Sequence, residues 1–250
     1  MPYGLYISAE GAQAQSQRLD VIAHNLANTD TVGFKRELAL FQARYAEAIE
    51  QGLQTPDSGA LEDIGGGIHL RETKTDFGAG PLRRTGNPSD VAVEGEGFFM
   101  VQKGDTAYLT RAGNFAISAD GRLTTQQGYA VLDENGSPVT IDPRDSTWEI
   151  SDSGEVRQKA GALNLALVRP QSLGDLVRVG ENLFKPLSEP VPIPPAERRV
   201  APKFIEGSAV KPTSEMTEMI QAARAMEANV NMLKTQDQML GELVNRVLKP

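Results

Sequence analysis

The sequence predicts an α+β chain in which paired N- and C-terminal helices form a coiled-coil module and a mainly antiparallel β domain is inserted between them. Three observations lead there. Apolar residues alternate at spacings of three and four near both ends, turn dipeptides punctuate the middle at strand-length intervals, and Gly-rich and Pro-rich stretches separate the middle from the ends.

The first helix is carried by Leu5, Ser8, Ala12, Gln15, Leu19, Ile22 and Leu26, a heptad row with polar members at Ser8 and Gln15. Within it only Gly11 opposes helix, at about 1 kcal/mol relative to Ala. The turn-rich run Asn28-Thr-Asp-Thr, ending in Gly33, is the expected stop. Residues 35–85, with Gly65-Gly66-Gly67, read as an extended Gly-rich connector. A β domain is expected over 86–185, because Lys103-Gly104-Asp105, Asp120-Gly121, Asn135-Gly136 and Ser153-Gly154 separate short apolar runs. Six prolines between Pro186 and Pro202 mark 186–207 as a stiff return linker.

The last helix has the longer row: Met216, Met219, Ala223, Met226, Val230, Leu233, Asp237, Leu240, Val244 and Val247. Pro212 precedes it and Thr213 or Ser214 is the expected cap. Such a helix is roughly 50 Å long. Residues 1–34 and 208–250 together would form the coiled-coil module. Asp237 either fixes register or tilts to the rim.

The flanks of these rows are short of charge. Between Gly4 and Leu19 only Glu10 and Arg18 are charged, and between Met219 and Leu233 only Arg224 and Glu227. A two-helix coiled coil normally guards its seam with charges, so neutral Ala/Gln/Asn/Ser faces point to packing against further helices, the alternative being a neutral, solvated surface. Five of the seven methionines lie in the last helix, where a flexible thioether fills gaps of differing shape.

Chemistry is hard to place on this chain. A net charge of −8 opposes nucleic-acid binding, which needs a basic face. The absence of cysteine removes thiolate catalysis and thiolate metal sites. His24 and His69 have no second ligand at metal spacing. Gly95-Glu-Gly97-Phe-Phe-Met100 lacks the third glycine and the helix of a dinucleotide fold. No catalytic, cofactor or metal residues are therefore expected. The first 20 residues have no basic and apolar signal pattern, and no run of 18 apolar residues suggests a membrane span.

The run Arg18-Leu-Asp-Val-Ile-Ala-His-Asn-Leu-Ala-Asn-Thr-Asp-Thr-Val-Gly-Phe-Lys-Arg36 resembles the N-terminal signature of bacterial flagellar rod and hook proteins, with His24 where that family usually has Asn. Its signature positions here are Asn25, Leu26, Ala27, Asn28, Thr31, Gly33, Phe34 and Lys35. Further blocks agree in order: Thr85–Phe99, Tyr108-Leu-Thr-Arg-Ala-Gly-Asn-Phe115, Asp120-Gly-Arg-Leu123, Gly180-Glu-Asn-Leu-Phe184 and Ile205-Glu-Gly-Ser-Ala-Val210.

The resemblance implies a structural subunit of the basal-body rod, in the periplasm, and no enzyme. The assembly seam would be Leu5, Ala12, Leu19, Ile22 and Leu26 with Met216, Met219, Ala223, Met226, Val230, Leu233, Leu240 and Val244. Partners would be copies of itself, other rod and hook subunits, and the flagellar type III export apparatus, which needs no cleaved signal. The short proline-rich stretch before the last helix, and Ser208-Ala209-Val210 without the family's Asn, favour a proximal-rod over a distal-rod type. The Gly95–Phe99 and Gly180–Phe184 blocks look more like the distal type. Narrow seams repay little of the roughly 1–2 kcal/mol per residue that ordering costs, so folding of the ends is expected to be coupled to assembly. The alternative from another class is a secreted glycan-binding or hydrolytic β protein with helical appendages.

Overall fold

The computed structural model describes residues 3–45, 65–142, 147–159 and 161–247. The chain forms two compact units: Met1–Ala27 with Glu37–Asp76 and Lys211–Pro250, and Asn28–Arg36 with Phe77–Val210.

The first unit holds helix α1 (Tyr3–Ala27), strands β1 (Glu37–Ala43) and β2 (Ile68–Thr75), and helix α2 (Pro212–Val247). The two helices run antiparallel: Arg18 meets Glu218 at 3.5 Å and Asn25 meets Glu215 at 3.3 Å. Proline opens α2 because its missing N–H needs no partner in the first turn. The cap differs from expectation. The Lys211 carbonyl accepts from the Glu215 N–H at 3.1 Å, so Thr213 and Ser214 lie inside the helix.

Part of the expected connector is paired β structure. Strands β1 and β2 pair antiparallel from Glu37↔Thr75 to Ala43↔Ile68, with a register shift between Leu40 and Phe41. This ribbon belongs to the helical unit, and the Asn25 side chain ties α1 to it, accepting from the Glu37 N–H (2.9 Å) and donating to the Glu37 carbonyl (2.8 Å). A side-chain amide there mimics a strand neighbour. Connector residues 46–64 lie outside the described residues.

The second unit is antiparallel β. Its strands are β3 (Leu82–Arg84), β4 (Val91–Val93), β5 (Phe98–Lys103), β6 (Thr106–Thr110), β7 (Ala116–Ile117), β8 (Leu123–Thr124) and β9 (Ala130–Val131). They continue as β10 (Glu149–Ile150), β11 (Glu155–Gln158), β12 (Gly161–Asn164), β13 (Leu167–Arg169), β14 (Leu176–Gly180), β15 (Leu183–Pro186), β16 (Val191–Pro192), β17 (Val200–Pro202) and β18 (Phe204–Glu206). The main sheet runs β14-β15-β6-β5-β9-β8-β7, with β13 also on β5. Three of the four turns expected from their Gly dipeptides join consecutive strands and Asn135-Gly136 closes the Leu132–Pro138 bridge, each glycine at positive φ.

Strand β5 organises the core. Successive residues of a strand point to opposite faces, and both Phe98 and Phe99 are buried. Phe99 joins the main cluster with Val101, Phe115 and Leu165. Phe98 joins a smaller one with Leu109, Val168 and Phe184, where Phe77, Phe98 and Phe184 approach at 5.3–5.9 Å between ring centres.

The proline-rich stretch is part of this unit and not a linker. Strand β16 pairs with β13, β17 with β4 and β18 with β3. Ile193 is buried and its N–H donates to the Leu167 carbonyl at 2.9 Å. Proline is tolerated at sheet edges, where a missing donor leaves no ladder bond unmade, and the apolar residues between the prolines supply the buried side.

Candidate assembly interface

In the first unit, the row where the helices meet is polar and small. A Cβ on Gly4 would lie 2.9 Å from the Gln236 amide, and one on Gly11 would lie 3.1 Å from the Asn229 amide. Ala222 is buried, and Asn25 donates to Glu215, itself only 1% exposed. Thus Gly4, Gly11 and Asn25, at heptad spacing, stand opposite Gln236, Asn229 and Glu215 in turn, with Arg18 reaching Glu218 and Ala222 buried on the same heptad row of α2. Missing side chains on one helix make room for amides on the other.

The apolar row read from sequence is displaced from this one. Met216, Ala223, Val230, Asp237 and Val244 each follow a contact residue, or its heptad continuation, by one position, a rotation of about 100°. Met216, Ala223 and Val244 are exposed, as is Asp237, and Val230 is half-buried. Met219, Met226 and Leu233 stand four residues after a contact residue, on the same side, and are half-buried. Leu240 has that spacing too and is exposed. On α1, Ala12 and Ile22 are buried, and Leu5, Leu19 and Leu26 are half-buried. Met232, Met239 and Leu243 form a further exposed row, at 58%, 64% and 62%.

In the second unit, the end of the signature run is clasped. Gly33 has φ +68, and a Cβ there would lie 2.5 Å from the backbone of Arg111 and Ala112, so only glycine fits. Its N–H donates to the Glu206 carbonyl at 2.8 Å. Phe34 is buried, with the Arg178 guanidinium 4.4 Å from its ring centre. Lys35 donates to Glu206 Oε1 (2.6 Å) and to the Gly78 carbonyl (2.9 Å). That carboxylate oxygen also accepts from the Gly80 N–H at 2.8 Å. Arg111 stands 3.5 Å from Glu206 Oε2 and donates to the Gly95 carbonyl at 2.7 Å. Burial pushes the Arg111 guanidinium below its usual pKa, and Glu206 opposes that shift.

Among the signature residues, Thr31 donates to Asn28 Oδ1 at 3.1 Å in the turn after α1, Leu26 is half-buried and Ala27 exposed. Sequence reasoning did not single out Glu206, Arg111, Arg178 or Asn182 by role. Each lies in or beside one of the separated blocks, which converge on Gly33-Phe34-Lys35. Among the described residues no group of three or more His, Asp or Glu could hold a metal ion. No described helix is long and apolar enough to cross a membrane.

Comparisons with known proteins follow the same blocks. Residues 5–35 match the family described as Flagella basal body rod protein, 92–158 match the Flagellar hook protein FlgE/F/G D1 domain, and 201–246 match the Flagellar basal body rod FlgEFG protein C-terminal family. The flagellar basal-body rod protein FlgF of Caulobacter vibrioides is 30% identical over 250 residues, covering 100% of this chain and 99% of the relative.

The chain belongs to the flagellar basal-body rod family.

Rod proteins of a second type are similarly close. FlgG of Caulobacter vibrioides is 32% identical over 254 residues, with 94% of this chain and 96% of the relative covered. FlgG of Agrobacterium fabrum is 34% identical over 264 residues, with 98% and 99% covered. Members of the rod family are structural subunits and not enzymes, which sets aside the secreted glycan-binding or hydrolytic alternative. In this rod protein the N-terminal family block splits between the two units: Asn25 serves the helical unit, and Gly33, Phe34 and Lys35 serve the β unit.

Proposed function

We propose that this rod subunit is of the proximal, FlgF type and polymerises into the rod wall through its terminal helices. The observation that carries the reading is the exposed row Met232, Met239 and Leu243 on α2, with Leu240 and Val244 exposed beside it. Exposed apolar residues at helical spacing are what a helical partner buries. The exposed apolar residues are left for neighbours, which are copies of this chain and other rod or hook subunits. The FlgF type is supported by the short proline-rich stretch before α2 and by Ser208-Ala209-Val210, which lacks the family's Asn. Delivery to the periplasm is through the flagellar type III export apparatus.

The test is Met239→Asp with Leu243→Asp in a cell lacking the native copy, scored on purified basal bodies. The double variant should stay out of the rod while the soluble protein keeps its wild-type β unit. Normal incorporation would show that this row is not a polymer contact. Location of the wild-type subunit at the distal end of the rod would overturn the proximal assignment.

A further inference from the structure

We propose that the β14–β15 hairpin is a latch that fastens segment 28–36 to the sheet, with Asn182 as its positioning residue. The turn between these strands is two residues long, since Gly180 pairs with Leu183. Glu181 has φ 52 and Asn182 φ 58, the conformation of a type I′ turn. Such a turn favours glycine at its second place. A side chain stands there at some backbone cost, and it reaches out of its own hairpin: Asn182 Nδ2 donates to the Val32 carbonyl at 2.9 Å.

The same hairpin grips the segment a second time. Arg178 donates to the Lys35 carbonyl at 3.3 Å and covers the Phe34 ring. The turn is in turn held to the sheet. Thr110 Oγ1 donates to the Asn182 carbonyl at 3.0 Å. The Glu181 carboxylate accepts from Lys103 Nζ at 2.8 Å and from the Tyr129 hydroxyl at 2.5 Å. These donors hold the Glu181 carboxyl below its ordinary pKa, and the carboxylate raises that of Lys103. Closing the hairpin and docking 28–36 are therefore one event, and the segment so fixed is the one that continues directly from α1. The latch does not depend on where in a rod the subunit sits.

Asn182→Gly separates this latch from an ordinary turn, because a bare type I′ turn gains from glycine while a latch loses its donor. Hydrogen exchange of the full chain, followed by mass spectrometry, should show the peptide 28–36 exchanging about tenfold faster in N182G, with β5 and β6 protected as in wild type. Asn182→Asp, which keeps the left-handed preference but removes the donor, should do the same. Unchanged or slower exchange of 28–36 in N182G would overturn the latch. Should N182G disturb the whole sheet, Arg178→Gln provides the independent arm: faster exchange of that peptide supports the grip, and wild-type exchange overturns it.

Discussion

Lys35 is a lysine placed where lysines are seldom found, 1% exposed beside a carboxylate that is 2% exposed. Such a pair is tolerated because its lone pairs and protons are used: Glu206 takes Lys35, the Gly80 N–H and Arg111, and Lys35 also takes the Gly78 carbonyl. Removing one partner strands the other. Lys35→Met should cost about 3–5 kcal/mol by denaturant unfolding of the full chain. A loss below about 1 kcal/mol, the range of exposed pairs, would mean that water reaches Glu206 in solution. At this scale the signature run marked Gly33 and Lys35 as important without saying why. Their reason lies in Glu206 and Arg111, separated from Lys35 by 171 and 76 positions, a distance that local pattern does not span.

Elements were legible to different depths. Both helices and the hairpin turns follow from spacing and from dipeptides, because these are local. The row on which the helices meet was not, since a 3–4 apolar pattern marks a preference for burial without naming the partner. Two glycines and two amides displaced that row by one residue. Gly11→Ala tests how the contact is balanced. Alanine gains about 1 kcal/mol of helix propensity but pushes into Asn229, so the single change should be near neutral in thermal unfolding of the helical unit. Gly11→Ala with Asn229→Ala should recover the gain, raising the midpoint. A single variant already as stable as the double would show that Asn229 does not fill the Gly11 notch. Proline misled in the opposite sense: β16 and β17 each contain one, yet both pair.

For the whole molecule, the division of labour between the units has a dynamic consequence. The β unit has a buried apolar core, whereas α1 and α2 meet through glycines, side-chain amides, the Arg18–Glu218 ion pair and apolar residues that are mostly half-buried, which repay less ordering entropy. In dilute monomer the amides of α2 beyond Gln236 should exchange fastest of all helical ones, and circular dichroism should gain helix on polymerisation. A monomer whose last three turns of α2 are protected like strand β5 would contradict coupled ordering of the ends.

By itself the sequence determined the helix–β–helix order, the rod-family signature and the absence of thiol chemistry, because each is written in local spacing or in composition. Only the tertiary structure decided that 37–43 and 68–75 form a ribbon in the helical unit, that the proline-rich return belongs to the β unit, and which face of α2 meets α1. The reason is common to all three. Pairing depends on which distant backbone donors and side-chain volumes come together, and a chain's local pattern constrains those only after its partners are in place.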